Sequence, residues 1–304
     1  MALGNLRATT ILCVLSGAAV AAFSMPTPAA AQPNSLERGR YLVETVAFCG
    51  VCHATKGPDG QTPRGMELAG GRVIIMNEFR TLIANLPLGE IRAVVPNITP
   101  DLETGIGRWK DDEIATAIRE GRRPDGSIIG PPMPIALYRD LSDNDLTAIV
   151  TYLRTVPPVR NAVTERSTYP IALEPYGPPV GHVPDPPDNP VARGAYIAGP
   201  LAHCMECHTP PLGIVRRDWS RPGAGGTPFE GPFGFVVASN ITPDKEHGIG
   251  AWTDDQIVGA ITRGVSADGR RLAPPMSNRA GIYSRITERD LSDLIAYLRS
   301  LPRQ

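Results

Sequence analysis

Lysine is nearly missing from this chain of 304 residues. Of 30 basic residues only Lys56, Lys110 and Lys245 are lysines, and 31 carboxylates bring the formal charge to −1. That balance supplies no basic stripe to neutralise phosphates, so nucleic acid is excluded as a partner. It also supplies no lysine ring for meeting acidic proteins, which leaves an apolar edge with an arginine or carboxylate rim as the docking surface. Long apolar runs are scarce too. The longest, Ala8 to Phe23, has sixteen residues, short of the roughly 20 that span a bilayer. Cysteine is limited to five positions, too few for a disulfide-framed fold of this length. Proline and glycine, 32 and 31 residues, together fall below the roughly 25–30% that marks a disordered chain.

Residues 1–31 carry the marks of a secretory signal: Arg7 in a positive n-region, the apolar run behind it, and Ala29-Ala30-Ala31 as a small-residue cleavage site. The expectation is an exported, periplasmic chain that starts near Gln32, has lost Cys13, and keeps no transmembrane segment.

The four remaining cysteines fall into two copies of one motif, Cys49-Gly50-Val51-Cys52-His53 and Cys204-Met205-Glu206-Cys207-His208. A lone Cys-x-x-Cys is compatible with half a zinc site or a redox dithiol. The following histidine points elsewhere. Two thiols at this spacing add to the two vinyl groups of one porphyrin, and the next residue then lies under the iron as proximal ligand. Cys49, Cys52, Cys204 and Cys207 are therefore expected to hold two covalently bound haem c groups, with His53 and His208 on the irons.

The rest of the chain is duplicated as well. Asn97 to Met133 aligns without a gap on Asn240 to Met276, with 21 of 37 positions identical at an offset of 143, whereas the haem motifs are offset by 155. The first copy thus carries about twelve extra residues, expected within Gly71 to Val95. Between the copies, Pro157 to Pro190 holds ten prolines in 34 residues, a density that favours extended, semi-rigid chain. The organisation expected is a first domain over 34–156, a proline-rich linker over 157–190 and a second domain over 191–304.

Each copy reads as helical. Ser142-x-x-Asp145, Thr287-x-x-Asp290 and Thr253-x-x-Gln256 are capping boxes. Leu146, Ile149, Val150 and Leu153 recur at helical spacing, as do Leu291, Leu294, Ile295 and Leu298. No strand alternation of useful length is present, so the fold class expected is all-α. Gly39 and Gly194 are expected to let the first and last helices of each copy cross closely, with Tyr41 and Tyr196 packing there.

A sixth iron ligand follows by elimination. His53 is the only histidine of the first copy, and Met205 lies inside a motif. Met276 is then the only free thioether of the second copy, and its repeat partner is Met133; both follow a Pro-Pro pair. Met66 and Met76 are assigned to core or inserted loop, and His182, His203 and His247 are not assigned to iron. Trp109, Trp252, Asn97 and Asn240 are read either as propionate donors or as ordinary core and turn residues.

On these motifs the chain resembles the diheme members of the class I cytochrome c superfamily, and Asn97 to Met133 with its copy looks closest to cytochrome c subunits of periplasmic alcohol, gluconate and related dehydrogenases. Those subunits carry three haem motifs and a C-terminal membrane-associating helix, where this sequence has two motifs. The resemblance implies an electron-transfer protein without catalytic residues. It would take electrons from a periplasmic dehydrogenase and pass them to another cytochrome or a terminal oxidase. The alternative is a diheme enzyme, such as a peroxidase with one open haem site.

Overall fold

A computed structural model describes Met1 and residues 35–76, 91–213 and 216–304. The signal segment read over 1–31 lies outside these apart from Met1. The first half runs α1 (Ser35–Tyr41), a π-helical turn (Leu42–Val46), α2 (Cys49–His53), β1 (Val73–Met76), β2 (Ile91–Val94), α3 (Asp111–Glu120), α4 (Ile135–Tyr138) and α5 (Asp143–Thr155). The second half repeats the order with α6 (Pro190–Tyr196), a π-helical turn (Ile197–Leu201), α7 (Cys204–His208), β3 (Pro228–Gly231), β4 (Gly234–Val237), α8 (Asp254–Arg263), α9 (Met276–Tyr283) and α10 (Glu288–Ser300).

The fold is not all-α as expected. β1 pairs antiparallel with β2, and β3 with β4, as two separate hairpins. Each strand has four residues, too few for a period-two pattern to stand out. The β-branched and aromatic residues of Val73-Ile74-Ile75 and Phe235-Val236-Val237 nevertheless suit a pleated surface. The hairpins also locate the twelve extra residues. Pro232 and Phe233 alone join β3 to β4, whereas residues 77–90 stand between β1 and β2.

The helices start where their sequences say. Ser142 and Thr287 accept hydrogen bonds from the backbone N–H of Asp145 and Asp290. Thr253 and Gln256 form the full reciprocal box at α8. At α3 the Glu113 carboxylate reaches back to the Lys110 N–H. α1 crosses α5, and α6 crosses α10, at glycine. A Cβ on Gly39 would lie 2.0 Å from the Ala148 carbonyl oxygen, and one on Gly194 would lie 1.9 Å from that of Asp293.

The apolar stripes of α5 and α10 close over one continuous core. Leu42, Val46, Leu146, Ile149 and Leu153 of the first half share it with Ile197, Leu201, Leu294, Ile295 and Leu298 of the second. Tyr41 and Tyr196 cross between the halves in a reciprocal clasp. The Tyr41 hydroxyl donates to Asp290 at 2.7 Å and accepts from the Thr287 N–H. Tyr196 likewise donates to Asp145 at 3.0 Å and accepts from the Ser142 N–H. Each tyrosine thus satisfies the orphan donor at the start of the other half's last helix.

The proline-rich stretch forms no helix before Pro190 and packs along the first half. Thr168 and Arg92 exchange both backbone hydrogen bonds, and Val159 accepts from the Asn97 amide. Arg139 donates to the Pro178 carbonyl.

The glycine crossings give a direct test. Gly39→Ala and Gly194→Ala are each expected to lower unfolding free energy by about 3 kcal/mol, since the blocking atoms are backbone and cannot swing aside. Urea denaturation of each variant checks this.

Candidate functional site

Both Cys-x-x-Cys-His motifs form single helical turns, α2 and α7, launched by a residue in the left-handed region: Phe48 at φ 40° and His203 at φ 41°. These are the only non-glycine residues of positive φ among those described. An L-residue adopts that region at a cost of about 1–3 kcal/mol, so its recurrence at equivalent positions marks a shared requirement. Cys49, Cys52, Cys204 and Cys207 are unpaired and half-buried. Burial pushes the Cys204 thiol up to about 11 and the Cys49 thiol up to about 12, which keeps them neutral thiols at ordinary pH.

The two histidines are held alike. His53 Nδ1 lies 3.0 Å from the Pro96 carbonyl oxygen, and His208 Nδ1 lies 2.7 Å from that of Ser239. Because a carbonyl only accepts, the proton is assigned to Nδ1, which leaves Nε2 as a bare lone pair for a metal. Burial lowers the pKa of both rings, with these hydrogen bonds opposing it, so both are neutral. Two free thiols and an imidazole with an unprotonated Nε2 are the donor set that haem c requires, and both motifs fit that group.

Arginines secure the motif turns from outside. Arg72 donates to the Val51 carbonyl, and Arg217 donates to that of Glu206, the equivalent position of the other copy. The two arginines come from different places in the two halves, and no repeat pattern announced them. The Pro96 and Ser239 partners were equally silent, being backbone groups. Their only signal is that each precedes the Asn-Ile-Thr-Pro-Asp segment.

The two motifs meet at a seam of aromatic rings. Phe48 packs against His203 with centroids 4.7 Å apart and ring planes tilted by 51°. Phe48 also meets Tyr283 of the second half at 5.6 Å, and His203 meets Tyr138 of the first half at 6.2 Å, both edge-on. Arg279 lies over the Phe48 ring at 5.1 Å. Burial, reinforced by the Arg279 charge, drives His203 down to about 3, so it serves the seam as a neutral ring.

The predicted methionines stand on matching segments. Met133 is half-buried against the core just before α4, and Met276 opens α9. Those two helices carry Tyr138 and Tyr283, whose hydroxyls burial pushes well up, with Cys49 and Cys52 adding to it at Tyr138 and Cys204 and Cys207 at Tyr283. Met66 lies in a turn and Met76 ends β1. Asn97 and Asn240 are turn residues. Each side-chain oxygen accepts from a threonine two positions on, and each amide is spent on a carbonyl, of Val159 and Gln304 respectively. Trp109 and Trp252 pack against the core.

Arg72→Ala and Arg217→Ala are each expected to lower stability by about 1–2 kcal/mol through the lost charge-assisted hydrogen bond. A lower urea midpoint at unchanged denaturant slope checks this.

No family model matches the chain. The fructose dehydrogenase cytochrome subunit of Gluconobacter japonicus is 33% identical over 97% of this chain and 58% of its own length. A diheme cytochrome c-type protein of Cereibacter sphaeroides is 30% identical over 84% of this chain and 82% of its own length. The gluconate 2-dehydrogenase cytochrome c subunit of Pantoea cypripedii is 28% identical over 88% of this chain and 59% of its own length. The chain thus spans a little under three fifths of the two dehydrogenase subunits. With 30% identity across four fifths of the Cereibacter protein, and with the haem-attachment geometry described above, this chain belongs to the c-type cytochromes, electron-transfer proteins that hold haem c covalently and are not catalytic subunits.

Proposed function

We propose that this chain is an exported diheme cytochrome that relays electrons from a periplasmic dehydrogenase towards the respiratory chain. In this reading domains 34–156 and 191–304 each carry one haem c, on Cys49 with Cys52 and on Cys204 with Cys207. His53 and Met133 would hold the first iron, and His208 and Met276 the second. The observation that carries it is the repeated lock on His53 and His208. One free Nε2 beside two thiols supports one haem, and its recurrence supports two. Haem c supplies a one-electron iron couple when bound.

The chain's own residues supply the rest. The Pro96 and Ser239 carbonyls fix ring orientation and tautomer, so the ligating nitrogen is preorganised and does not rotate between oxidation states. The apolar core packs against Cys49 and Cys204, which gives each motif one apolar side and limits reorganisation when charge changes. The Phe48–His203 contact brings the two motifs together at one seam and supports transfer between them. The relatives named as dehydrogenase subunits support a dehydrogenase as donor, with another cytochrome or a terminal oxidase as acceptor. Among the described residues no helix is long and apolar enough to cross a membrane. The signal read over residues 1–31 supports a periplasmic location.

Intact-mass measurement of the chain purified from the periplasm tests this. The expected result is a protein starting near Gln32 with two haem additions, and one addition fewer when both cysteines of either motif are replaced by alanine. A single addition to the unsubstituted protein would overturn the diheme reading.

A further inference from the structure

The methionine segments of the two halves match in sequence but not in what holds them. In the first half two tyrosines from the proline-rich stretch close over the segment. The Tyr169 hydroxyl donates to the Pro131 carbonyl at 3.0 Å, and the Tyr176 hydroxyl donates to that of Ile129 at 3.1 Å. These carbonyls flank Gly130, three residues before Met133. The Tyr169 ring lies directly on that glycine, so a Cβ there would sit 2.5 Å from the ring. The Tyr176 ring approaches Gly121 and closes the cap of α3, where a Cβ would lie 3.1 Å from both Tyr176 and Ile135.

In the second half the position of Gly130 is Ala273. The corresponding carbonyls are those of Leu272 and Pro274, and among the described residues no side chain donates to either. The glycine that admits the Tyr169 ring in the first half is alanine in the second, where a ring could not lie in the same way.

We propose that Tyr169 and Tyr176 are positioning residues for Met133, fixing its segment so that the first iron keeps its thioether, while Met276 is the ligand that yields first to an incoming base. The inference rests on Met133 and Met276 being the axial ligands. The tyrosines act on the segment's freedom to move away. Two hydrogen bonds that form only in the closed position bias the on–off equilibrium of the methionine by roughly tenfold. Packing of the Tyr169 ring on Gly130 adds to this. The two sites of one chain would then differ in ligand lability without differing in ligand type.

Imidazole titration of the ferric holoprotein tests this, read by loss of the far-red methionine–iron absorption band. The expected result is loss in two steps, the second needing about ten times more imidazole. Met133→His and Met276→His assign the steps, each removing half of the band, with the early step missing from Met276→His. Tyr169→Phe with Tyr176→Phe is expected to bring the late step forward about tenfold and leave the early one in place. One step at a common concentration in the unsubstituted protein, or a late step unmoved by the phenylalanines, would overturn the clamp while leaving the ligands assigned. Far-red bands intact in both histidine variants would overturn the ligand assignment itself, and the proposal with it.

Discussion

Everything in this molecule turns on the contact between Phe48 and His203. Each is held in a left-handed backbone conformation that costs an L-residue about 1–3 kcal/mol. Each begins the motif turn of its own half while presenting its ring to the other half. The tilted pair, with Tyr138 and Tyr283 edge-on at its sides, offsets that strain with aromatic packing, worth about 0.5–1.5 kcal/mol per pair beyond area burial. One core runs through both halves, Phe48 and Tyr283 form a smaller cluster beside it, and Tyr41 and Tyr196 each cap the last helix of the opposite half. A half of some 120 residues buries only a modest core by itself; joined here, the halves share one.

Around this near two-fold arrangement the copies have diverged where their surroundings differ. The connection between strands is two residues in one half and runs from residue 77 to 90 in the other. The arginine that holds the motif turn comes from Arg72 in one and Arg217 in the other. The proline-rich stretch belongs structurally to the first half, pairing with Arg92 of β2 and closing over the segment before Met133. Duplication set the repeated motifs, and the proline-rich stretch packs on one copy of them, where Tyr169 and Tyr176 donate to the Pro131 and Ile129 carbonyls.

The parts that could be read from the sequence were those governed by neighbours in the chain. The caps at Ser142, Thr253 and Thr287 depend on residues three apart. The stripes of α5 and α10 depend on helical period, and the motif spacing depends on one turn of helix. What escaped is long-range. Tyr41 and Tyr196 were read as packing at the crossing of their own half's helices, yet their hydroxyls reach 249 positions ahead and 51 back, across the seam. The hairpins escaped because four-residue strands show no alternation. Proline density in 157–190 argued against a packed element there, but could not say that Tyr169 and Tyr176 would find backbone carbonyls. Gly130 opposite Ala273 is the one residue difference that hinted at them.

In the proposed function His53 with Met133 and His208 with Met276 would hold both irons, as a relay requires and an open catalytic site does not. Absorption spectra of the ferric and ferrous holoprotein, with and without carbon monoxide, address it most directly. The account predicts two low-spin haems with the far-red methionine band in the ferric form and no spectral change with carbon monoxide in the ferrous form. A high-spin fraction that binds carbon monoxide in the untreated protein would contradict it, because one iron would then be open to substrate.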